Sequence, residues 1–503
     1  MPPKNSKKKK TIASAASGPG VRVRMYRSGL GDCFLVTFDP GGKDIHMLID
    51  CGSLGATTTG VKLADVVADI RKTTKDHLHL LIATHEHQDH VCGFRNCIDE
   101  FKQIKVDRVW LAWTENPKDE NAKKIAKYKN DLGAALAVAA RALTDPKRAD
   151  SKSMELGAAI QSILGFAGDP QALGANGLAK TIDEAMTFVR TGFGKEALYK
   201  TPGGAAIEED WLPGFRFYVL GPPTSEASLG DLGDHESEHL YHVTAGLHIG
   251  AEGDNAAYEE RESQMPFDAR LRLKGDNCLA AAATGIYSRS EEKWRCINND
   301  WLHAAADLAL QLDSMTNNTS LALAIERISD GRTLLFPADA QQGNWLSWHD
   351  PGMKWTFKDG STTRDKSAEQ LLAQTVFYKV GHHSSHNATA KAKGLELMSR
   401  EDELIAFIPV DRAVALGRNP KGSWQMPARA LYRRLLEKCQ GRVVRSDLGL
   451  ADDAKNAKDK DTEREFVGLA DTATWTKWKQ AQTKAVTDKR VDIKPLYVDF
   501  MLA

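Results

Sequence analysis

The segment THEHQDHVCGF, residues 84–94, places three histidines and an aspartate within six positions, from His85 to His90. His85 and His87 are two positions apart on a segment that reads as extended, so their side chains are expected to point to the same side. Imidazole nitrogens and carboxylate oxygens are the ligands that zinc and related metals take in hydrolases, with one position left open for water. The segment therefore predicts part of a metal site, and the alternative is a polar surface loop that is rich in histidine.

The residues before this segment form an apolar run, LHLLIAT at 78–84, which predicts a buried strand that presents the histidines at its carboxyl end. Open α/β sheets bind their ligands at that end of their strands. After Val91 the pattern favours a helix, which places Asp89 and His90 near a helix N-terminus. The local pattern therefore predicts a strand, a ligand-rich turn and a helix.

Two later apolar runs end in the same kinds of side chain. LLFPADA, residues 334–340, carries Asp339 near its end, and VFYKVGHHSSH, residues 376–386, contains His382 and His383. Taken singly, Asp339 reads equally well as an acid in a surface turn, and the histidine pair reads equally well as structural histidines. Taken together with the histidine-rich segment, they predict that three strand ends converge on one rim of a sheet.

The composition indicates an ordinary globular protein. Of 503 residues, 42% are hydrophobic and 27% are charged, which suffices for a substantial core. Lys plus Arg and Asp plus Glu both number 67, so the net charge gives no argument for attraction to a polyanion. The seven cysteines are scattered without a Cys-x-x-Cys pair, which argues against a disulfide framework or a thiolate zinc cage and suits a reducing cytosol.

No secretory signal or membrane span is expected. The most apolar stretch, residues 132–143, is shorter than the about 20 residues that a bilayer requires, and it contains Arg141. The N-terminus carries charges but no apolar segment of the kind found in signal peptides. We therefore expect a cytoplasmic protein that does not bind membranes.

The chain reads as one sheet-based domain with a tail and two insertions. Residues 1–20 are basic and rich in Ser, Gly and Pro, which predicts a disordered tail. Residues 21–503 carry strand patterns that are interrupted twice, by an Ala/Lys-rich helical block at about 114–210 and by a polar, irregular block at about 224–310. We expect the class to be α+β, with both blocks projecting from the core without adding strands to its sheets.

These motifs resemble the metallo-β-lactamase superfamily, and within it the soluble hydrolase domain of ComEC-type competence proteins, which take part in DNA uptake. The matching segments follow the order of the family and span most of the chain outside the insertions. They are SGLGDCFLV (28–36), MLIDCG (47–52), THEHQDHVCGF (84–94), FYVLGPP (217–223), NNTSLALAI (317–325), LLFPADA (334–340), VFYKVGHHSS (376–385) and VVRSDLG (443–449). The resemblance implies a four-layer αβ/βα sandwich with the site at one edge of its sheets.

The resemblance also implies a centre of two divalent ions, zinc or manganese. The implied ligands are His85 and His87 for the first ion, Asp89, His90 and His382 for the second, and Asp339 as the bridge between them.

The remaining roles are assigned around these ligands. Asp89, His383 and Lys379 are expected to act in catalysis, and the choice between His382 and His383 as the metal ligand stays open. Asp50 is expected to hydrogen-bond near the histidine loop, and a simple acid in a turn is the alternative.

One position departs from the pattern of the relatives. Many of them carry a histidine in the string that here reads LGPP, where this chain has Gly221. We therefore expect the first ion to bind weakly, or to take a ligand from elsewhere. The histidines of DHESEHLYH, at 235, 239 and 242, are candidates for that ligand.

The expected activity is hydrolysis by a metal-bound hydroxide, most readily of a phosphodiester in DNA or another nucleic acid. Local support comes from the basic segment 418–445, in which Trp424 and Tyr432 are interleaved with cations that suit phosphates, and its alternative is a solvated helix face. Lys379 and Ser384 are further candidates for contact with a phosphate oxygen. The two other hypotheses are a small-molecule lactone, lactam or thioester hydrolase and a degenerate metal-binding module.

Overall fold

The computed structural model describes residues 19–55, 57–144, 151–167, 177–230, 300–418, 425–451, 462–469 and 471–503. Within these ranges the chain forms helices and mixed sheets, so the expected α+β class is confirmed. Strands and helices are numbered below along the chain. Residues 1–18 of the expected tail lie outside the described ranges, and Gly20 already belongs to the first strand.

The larger sheet has eight strands. In spatial order they are β19 (Val491–Ile493), β20 (Tyr497–Leu502), β1 (Gly20–Tyr26), β2 (Phe34–Asp39), β3 (Ile45–Ile49), β5 (Leu80–Ile82), β7 (Val109–Ala112) and β8 (Leu198–Lys200). Strands β3, β5, β7 and β8 are mutually parallel, and the others are antiparallel to their neighbours. Strands β3, β5 and β7 are buried at every position, which is why they read as continuous apolar runs rather than as alternating ones.

The second sheet has seven strands, with a parallel centre formed by β12, β15, β16 and β17. Its strands in spatial order are β10 (Phe215–Val219), β11 (Leu323–Arg327), β12 (Thr333–Phe336), β15 (Thr375–Lys379), β16 (Ile405–Ile408), β17 (Val443–Arg445) and β18 (Gly449–Leu450).

Two small sheets complete the β-structure of the described ranges. They consist of β14 (Thr362–Lys366), β13 (Trp355–Asp359) and β9 (Gly204–Ala205), and of β4 (His77–Leu78) with β6 (Lys105–Val106).

The helices of the described ranges vary from a single turn to six turns. They are α1 (Leu63–Thr74), α2 (Gln88–Asn96), α3 (Ile98–Phe101), α4 (Glu120–Leu143), α5 (Ser151–Leu164), α6 (Gly177–Thr191), α7 (Glu226–Leu229), α8 (Asp300–Asn318), α9 (Gln342–Ser347), α10 (Ala368–Ala373), α11 (Arg412–Arg418), α12 (Arg429–Lys438), α13 (Glu463–Phe466) and α14 (Thr472–Thr487). No helix in the ranges that the structure describes is long and apolar enough to cross a bilayer.

The main core lies between the two large sheets, which face each other. Phe34 of β2 meets Phe336 of β12 with ring centroids 6.0 Å apart, and Phe377 of β15 meets Phe500 of β20 at 5.0 Å. The outer face of the larger sheet packs on α1, α2 and α6, and that of the second sheet packs on α9, α10, α12 and α14. The layers therefore follow the order helices, sheet, sheet, helices.

Strand β8 corrects the expected boundary of the first insertion. It lies within the block 114–210, yet it pairs with β7 in parallel, Trp110 opposite Leu198. The helical part of the block ends at Thr191 with α6, and the chain then returns to the edge of the larger sheet. The expectation that this block adds no strand to a core sheet is therefore wrong, because a strand of only three residues is too short to show an alternating pattern.

Helices from both insertions pack against each other in one apolar cluster. We call α4, α5 and α8 together the helical cap. Its shared core contains Leu132, Leu136, Ile160, Leu164, Leu308 and Leu312. Residues 231–299, which make up most of the second predicted insertion, lie outside the described ranges.

Candidate metal centre

The ends of four strands meet at one rim of the two sheets, and the sequence predicts the convergence of three of them, β5, β12 and β15. Asp50 follows β3, the histidine loop follows β5, Asp339 follows β12, and the histidine pair follows β15. Helix α2 begins at Gln88, so that Asp89 and His90 lie in its first turn. Metal-binding types of side chain from distant parts of the sequence are thereby brought into one buried cluster.

Four of these side chains offer ligand atoms that all lie within 4.8 Å of one another: Asp89, His90, Asp339 and His383. His90 Nε2 is 3.0 Å from Asp339 Oδ2, and His383 Nε2 is 2.7 Å from Asp89 Oδ2. None of the four side chains is more than 1% exposed. We call them the four-ligand group.

Each histidine of this group is oriented through its other ring nitrogen. His90 Nδ1 is 2.8 Å from Asp50 Oδ2, and His383 Nδ1 donates to the backbone oxygen of Pro409 at 2.7 Å. A hydrogen bond from Nδ1 fixes the tautomer and leaves the lone pair of Nε2 directed into the group. The expected contact of Asp50 with the histidine loop is therefore present, and its carboxylate also accepts the backbone N–H of Thr84 at 2.8 Å.

Asp339 has one occupied and one free carboxylate oxygen. Its Oδ1 accepts from Lys379 Nζ at 3.0 Å and from the backbone N–H of His382 at 2.9 Å. Its Oδ2 lies 3.0 Å from His90 Nε2 and has no other partner among the described residues. Only Oδ2 is therefore available to a cation.

The residues present fit a bound metal ion. Among the described residues, Asp89 Oδ1 has no hydrogen-bond partner, and the buried atoms His90 Nε2 and Asp339 Oδ2 have only each other within hydrogen-bond distance, at 3.0 Å. Buried polar groups are otherwise almost always paired, and buried charges are paired or coordinate metals. Imidazole and carboxylate together suit zinc and manganese.

The excess of buried carboxylates at this rim also favours a bound cation. Four buried carboxylates, those of Asp32, Asp50, Asp89 and Asp339, surround this rim and face one buried lysine, Lys379. Carboxylates in such excess require further positive charge, either from protons on the histidines or from a cation.

The pKa values of His90 and Asp339 indicate which of these groups carries a proton when no cation is bound. Burial opposes a charge on His90, but the carboxylates of Asp339 and Asp32 outweigh it and raise the pKa of His90 well above its usual range. Burial likewise opposes a charge on Asp339, yet the cationic His90 and Lys379 hold the pKa of Asp339 well below its usual range. A divalent ion would therefore replace the proton that His90 carries.

His85 and His87 form a second pair beside the four-ligand group. His85 Nε2 is 3.1 Å from His87 Nδ1, and His85 Nδ1 is held by the hydroxyl of Thr84 at 3.1 Å. Two nitrogens bound to one tetrahedral zinc are about 3.3 Å apart, which is close to this separation. Burial lowers the pKa of His85 well below its usual value and that of His87 to about 4, so both rings are neutral at pH 7.

The structure places His383, and not the expected ligand His382, in the four-ligand group. His382 Nδ1 instead lies 2.9 Å from the hydroxyl oxygen of Ser385 and 3.2 Å from the amide nitrogen of Gln341. Burial lowers the pKa of His382 to about 4, so the ring is neutral. Its ring packs near Phe166, with centroids 6.4 Å apart.

Lys379 is held by carboxylates inside the protein. Its ammonium is buried, forms an ion pair with Asp32, and donates to Asp339 and to the backbone oxygen of Ala338. These contacts hold Asp339 in place, and the expected catalytic role of Lys379 stays a prediction. Asp32 itself was not singled out by the sequence argument, although it lies in the quoted segment SGLGDCFLV (28–36) and its backbone N–H donates to Asp89 O at 2.9 Å.

Close backbone packing fixes the histidine loop to the larger sheet. A Cβ added at Gly52 would lie 2.0 Å from the backbone carbon of Asp89, and one added at Gly31 would lie 2.8 Å from the Asp89 oxygen. Cys51 N–H donates to His90 O at 2.8 Å. Glycine is required at 31 and 52 because two backbones approach there without room for a side chain.

Left-handed backbone conformations cluster at the same rim. The residues are Asp50 (φ 57°), Ala338 (φ 53°), His382 (φ 41°), His383 (φ 51°) and Ser384 (φ 64°). Such conformations are costly for residues with a Cβ and persist where the surrounding contacts fix them, which is common at functional sites.

The backbone at Gly221 has no room for a histidine side chain. A Cβ at this position would lie 2.0 Å from Asn344 Oδ1, and Asn344 is itself tied by its amide to the backbone oxygens of Asn318 and Ser320 at 3.0 Å. A histidine at 221 is therefore excluded unless Asn344 moves. The other proposed donors, the histidines at 235, 239 and 242, lie outside the described residues.

The helical cap covers the histidine loop. Lys129 of α4 forms an ion pair with Glu86, and the ring of Phe166, just after α5, lies 5.7 Å from that of His87. Asp313 of α8 places its Oδ1 3.9 Å from His87 Nε2. No local pattern in the sequence indicates these three contacts, since Lys129 and Phe166 belong to the first predicted insertion and Asp313 lies just after the second.

The expected nucleic-acid surface at 418–445 is not present as predicted. Tyr432 is 0% exposed and cannot stack on a base, while Arg434 of α12 pairs with Glu396 at 2.7 Å. Trp424 lies outside the described ranges. The described part of the segment is therefore a helix packed on the core, with a charged face largely neutralised by carboxylates.

No protein-family model matches the sequence, and a comparison with curated proteins finds no match.

Proposed function

We propose that this chain is a metal-dependent hydrolase with a centre for two divalent ions, zinc or manganese. The observation that carries the proposal is the four-ligand group, in which buried ligand atoms of two carboxylates and two imidazoles lie within 4.8 Å of one another. Ions bound there would supply Lewis acidity to the scissile group and lower the pKa of a water molecule.

In this proposal the four-ligand group would hold one ion, and the pair His85 and His87 would hold the other. Asp339 would offer Oδ2 to an ion, since Lys379 and a backbone N–H occupy Oδ1. Asp89 would offer Oδ1, which has no hydrogen-bond partner among the described residues, to orient a water molecule. Asp50 and Pro409 keep Nδ1 of the histidines protonated and Nε2 free.

The arrangement of the chain supports membership of the metallo-β-lactamase superfamily, near the ComEC-type hydrolase domain. Two sheets face each other with helices outside, and the motifs quoted from the sequence lie at the ends of adjacent strands. This family assignment rests on motif order and layer order together.

We propose a phosphodiester as the substrate, in a nucleic acid or a small nucleotide. Two ions can neutralise the charge on both the attacking and the leaving oxygen of an in-line displacement, which suits this bond. The site side chains are no more than 6% exposed, and the helical cap lies over the histidine loop. A substrate must therefore enter by displacing the cap, which favours a strand end or a small phosphodiester over the middle of a duplex.

A small-molecule lactone, lactam or thioester hydrolase is the second candidate. The apolar ring of Phe166 beside His87 and His382 favours it, because an apolar cover suits an uncharged substrate. The outcome of the assay below separates the two candidates.

The experiment combines metal analysis with a panel of substrates. Protein freed of metal by a chelator is titrated with Zn²⁺ or Mn²⁺ and incubated with single- and double-stranded DNA, RNA, cyclic dinucleotides, a lactone, a lactam and a thioester. Asp89→Ala and His90→Ala are expected to abolish hydrolysis, whereas His386→Ala, at an exposed histidine, leaves it unchanged. Full activity in either of the first two variants would refute the proposed centre.

A further inference from the structure

Helix α8 is fixed to the metal centre at its carboxyl end. The segment that follows it donates from the backbone N–H of Leu321 to Thr84 O at 2.9 Å, and the hydroxyl of Ser320 accepts the backbone N–H of Asp339 at 3.2 Å. The last turns of α8 are therefore held at a defined place beside the histidine loop.

One carboxylate on these turns is directed at the loop. Asp313 has a side chain that is 13% exposed, and its Oδ2 accepts from the amide of Asn317 at 3.0 Å. Its Oδ1 is buried, has no hydrogen-bond partner among the described residues, and lies 3.9 Å from His87 Nε2. An unpaired buried carboxylate oxygen next to an imidazole nitrogen requires an explanation.

The other three histidines of the centre supply that explanation by analogy. His85, His90 and His383 each have Nδ1 held by an oxygen, from Thr84, Asp50 and Pro409 respectively, and each directs Nε2 inward. His87 has the opposite orientation, because its Nδ1 faces His85 Nε2 at 3.1 Å. The two nitrogens of an imidazole diverge, so Nε2 of His87 points outward, toward Asp313.

We propose that Asp313 is a positioning residue for His87, which accepts the Nε2–H and directs Nδ1 toward the ion that His85 shares. Metal-bound histidines almost always donate their other N–H to such an oxygen, and loss of that partner typically weakens metal binding about 10–100-fold. The inference rests on the proposed metal centre and adds that a helix of the second insertion takes part in it.

The test is calorimetric titration of metal-free protein with Zn²⁺ in four forms: wild type, Asp313→Ala, Asp313→Asn and Asp307→Ala. Asp307 is an exposed acid on the same helix and serves as the matched control. We expect two sites in the wild type and in Asp307→Ala. Asp313→Ala should weaken one site about 10–100-fold and leave the other unchanged, and Asp313→Asn, which keeps an acceptor oxygen, should restore part of the loss.

Three results would overturn the inference, and they are distinguishable. Two unchanged sites in Asp313→Ala would refute the role of Asp313 and leave the proposed centre standing. A loss above about 1,000-fold, equal in the Ala and Asn variants, would make Asp313 a direct ligand, since it exceeds the range for an outer partner. A wild type that binds no Zn²⁺ would refute the centre itself. Thermal melting of the metal-free variants identifies any loss that arises from misfolding.

Discussion

Replacement of Gly52 by alanine tests whether the histidine loop must lie where the larger sheet holds it. The added Cβ would meet three backbone atoms of the loop: the carbon of Asp89 at 2.0 Å, its oxygen at 2.1 Å and the nitrogen of His90 at 2.3 Å. Backbone atoms cannot rotate away, so the first turn of α2 must retreat by about 1 Å or more to reach ordinary contact distance. Overpacking of this kind typically costs about 1–3 kcal/mol of folding free energy.

The effect on the centre is expected to exceed the effect on the fold. A displacement of about 1 Å at a catalytic group can reduce the rate by about 100-fold, and both Asp89 and His90 would be displaced together. We expect Gly52→Ala to bind Zn²⁺ at least tenfold more weakly, in competition with a chromophoric chelator, and to lose hydrolysis. The matched control is Gly42→Ala, where an added Cβ meets nothing within 4 Å. Wild-type affinity and melting temperature in Gly52→Ala would refute the close packing on which this reasoning depends.

Two further predictions concern histidine roles and pH. His383→Ala should weaken Zn²⁺ binding more than about 100-fold, which is the upper limit for losing a hydrogen-bond partner of a metal ligand. His382→Ala should weaken it no more than about tenfold. The reverse ranking in the same titration would restore the assignment of His382 as the ligand that was made from the sequence. Burial and the nearby Glu86 raise the pKa of Glu115 to about 7, so its carboxyl is protonated in the fold below that pH, and the stability this provides is lost as the pH rises through 7. Thermal melts at pH 6 and 8 should therefore show a smaller decline for Glu115→Gln than for wild type, by about 1 kcal/mol, because only about one pH unit of that interval lies below the pKa of about 7. Parallel declines would contradict this.

The convergence of strand ends was predictable because each strand is a continuous apolar run followed at once by a ligand-type side chain. In β5 and β12 the run specifies the strand, and the end of the run specifies where His85 and Asp339 emerge. The choice between His382 and His383 was not predictable. Both follow β15 in a left-handed turn, where the alternation of side chains along a strand no longer applies.

The contributions of the cap were beyond sequence reasoning for a different reason. Asp313 and Lys129 are charged residues on amphipathic helices, and such residues ordinarily face solvent. Their contacts with the histidine loop depend on how α4 and α8 dock, which no local pattern encodes. The surroundings of Lys379 were also beyond sequence reasoning, because a lysine beside a histidine pair reads as a substrate contact until its carboxylate partners are seen.

The helical cap is built from segments on both sides of β10. Helices α4 and α5 precede this strand, whereas α8 follows it after the block 231–299. The cap therefore closes over the histidine loop only where two parts of the chain that are far apart in sequence dock on each other. In the proposed centre, an ion would enter or leave the folded protein only when the cap opens. The rate of metal exchange would then report the opening of the cap rather than the diffusion of the ion.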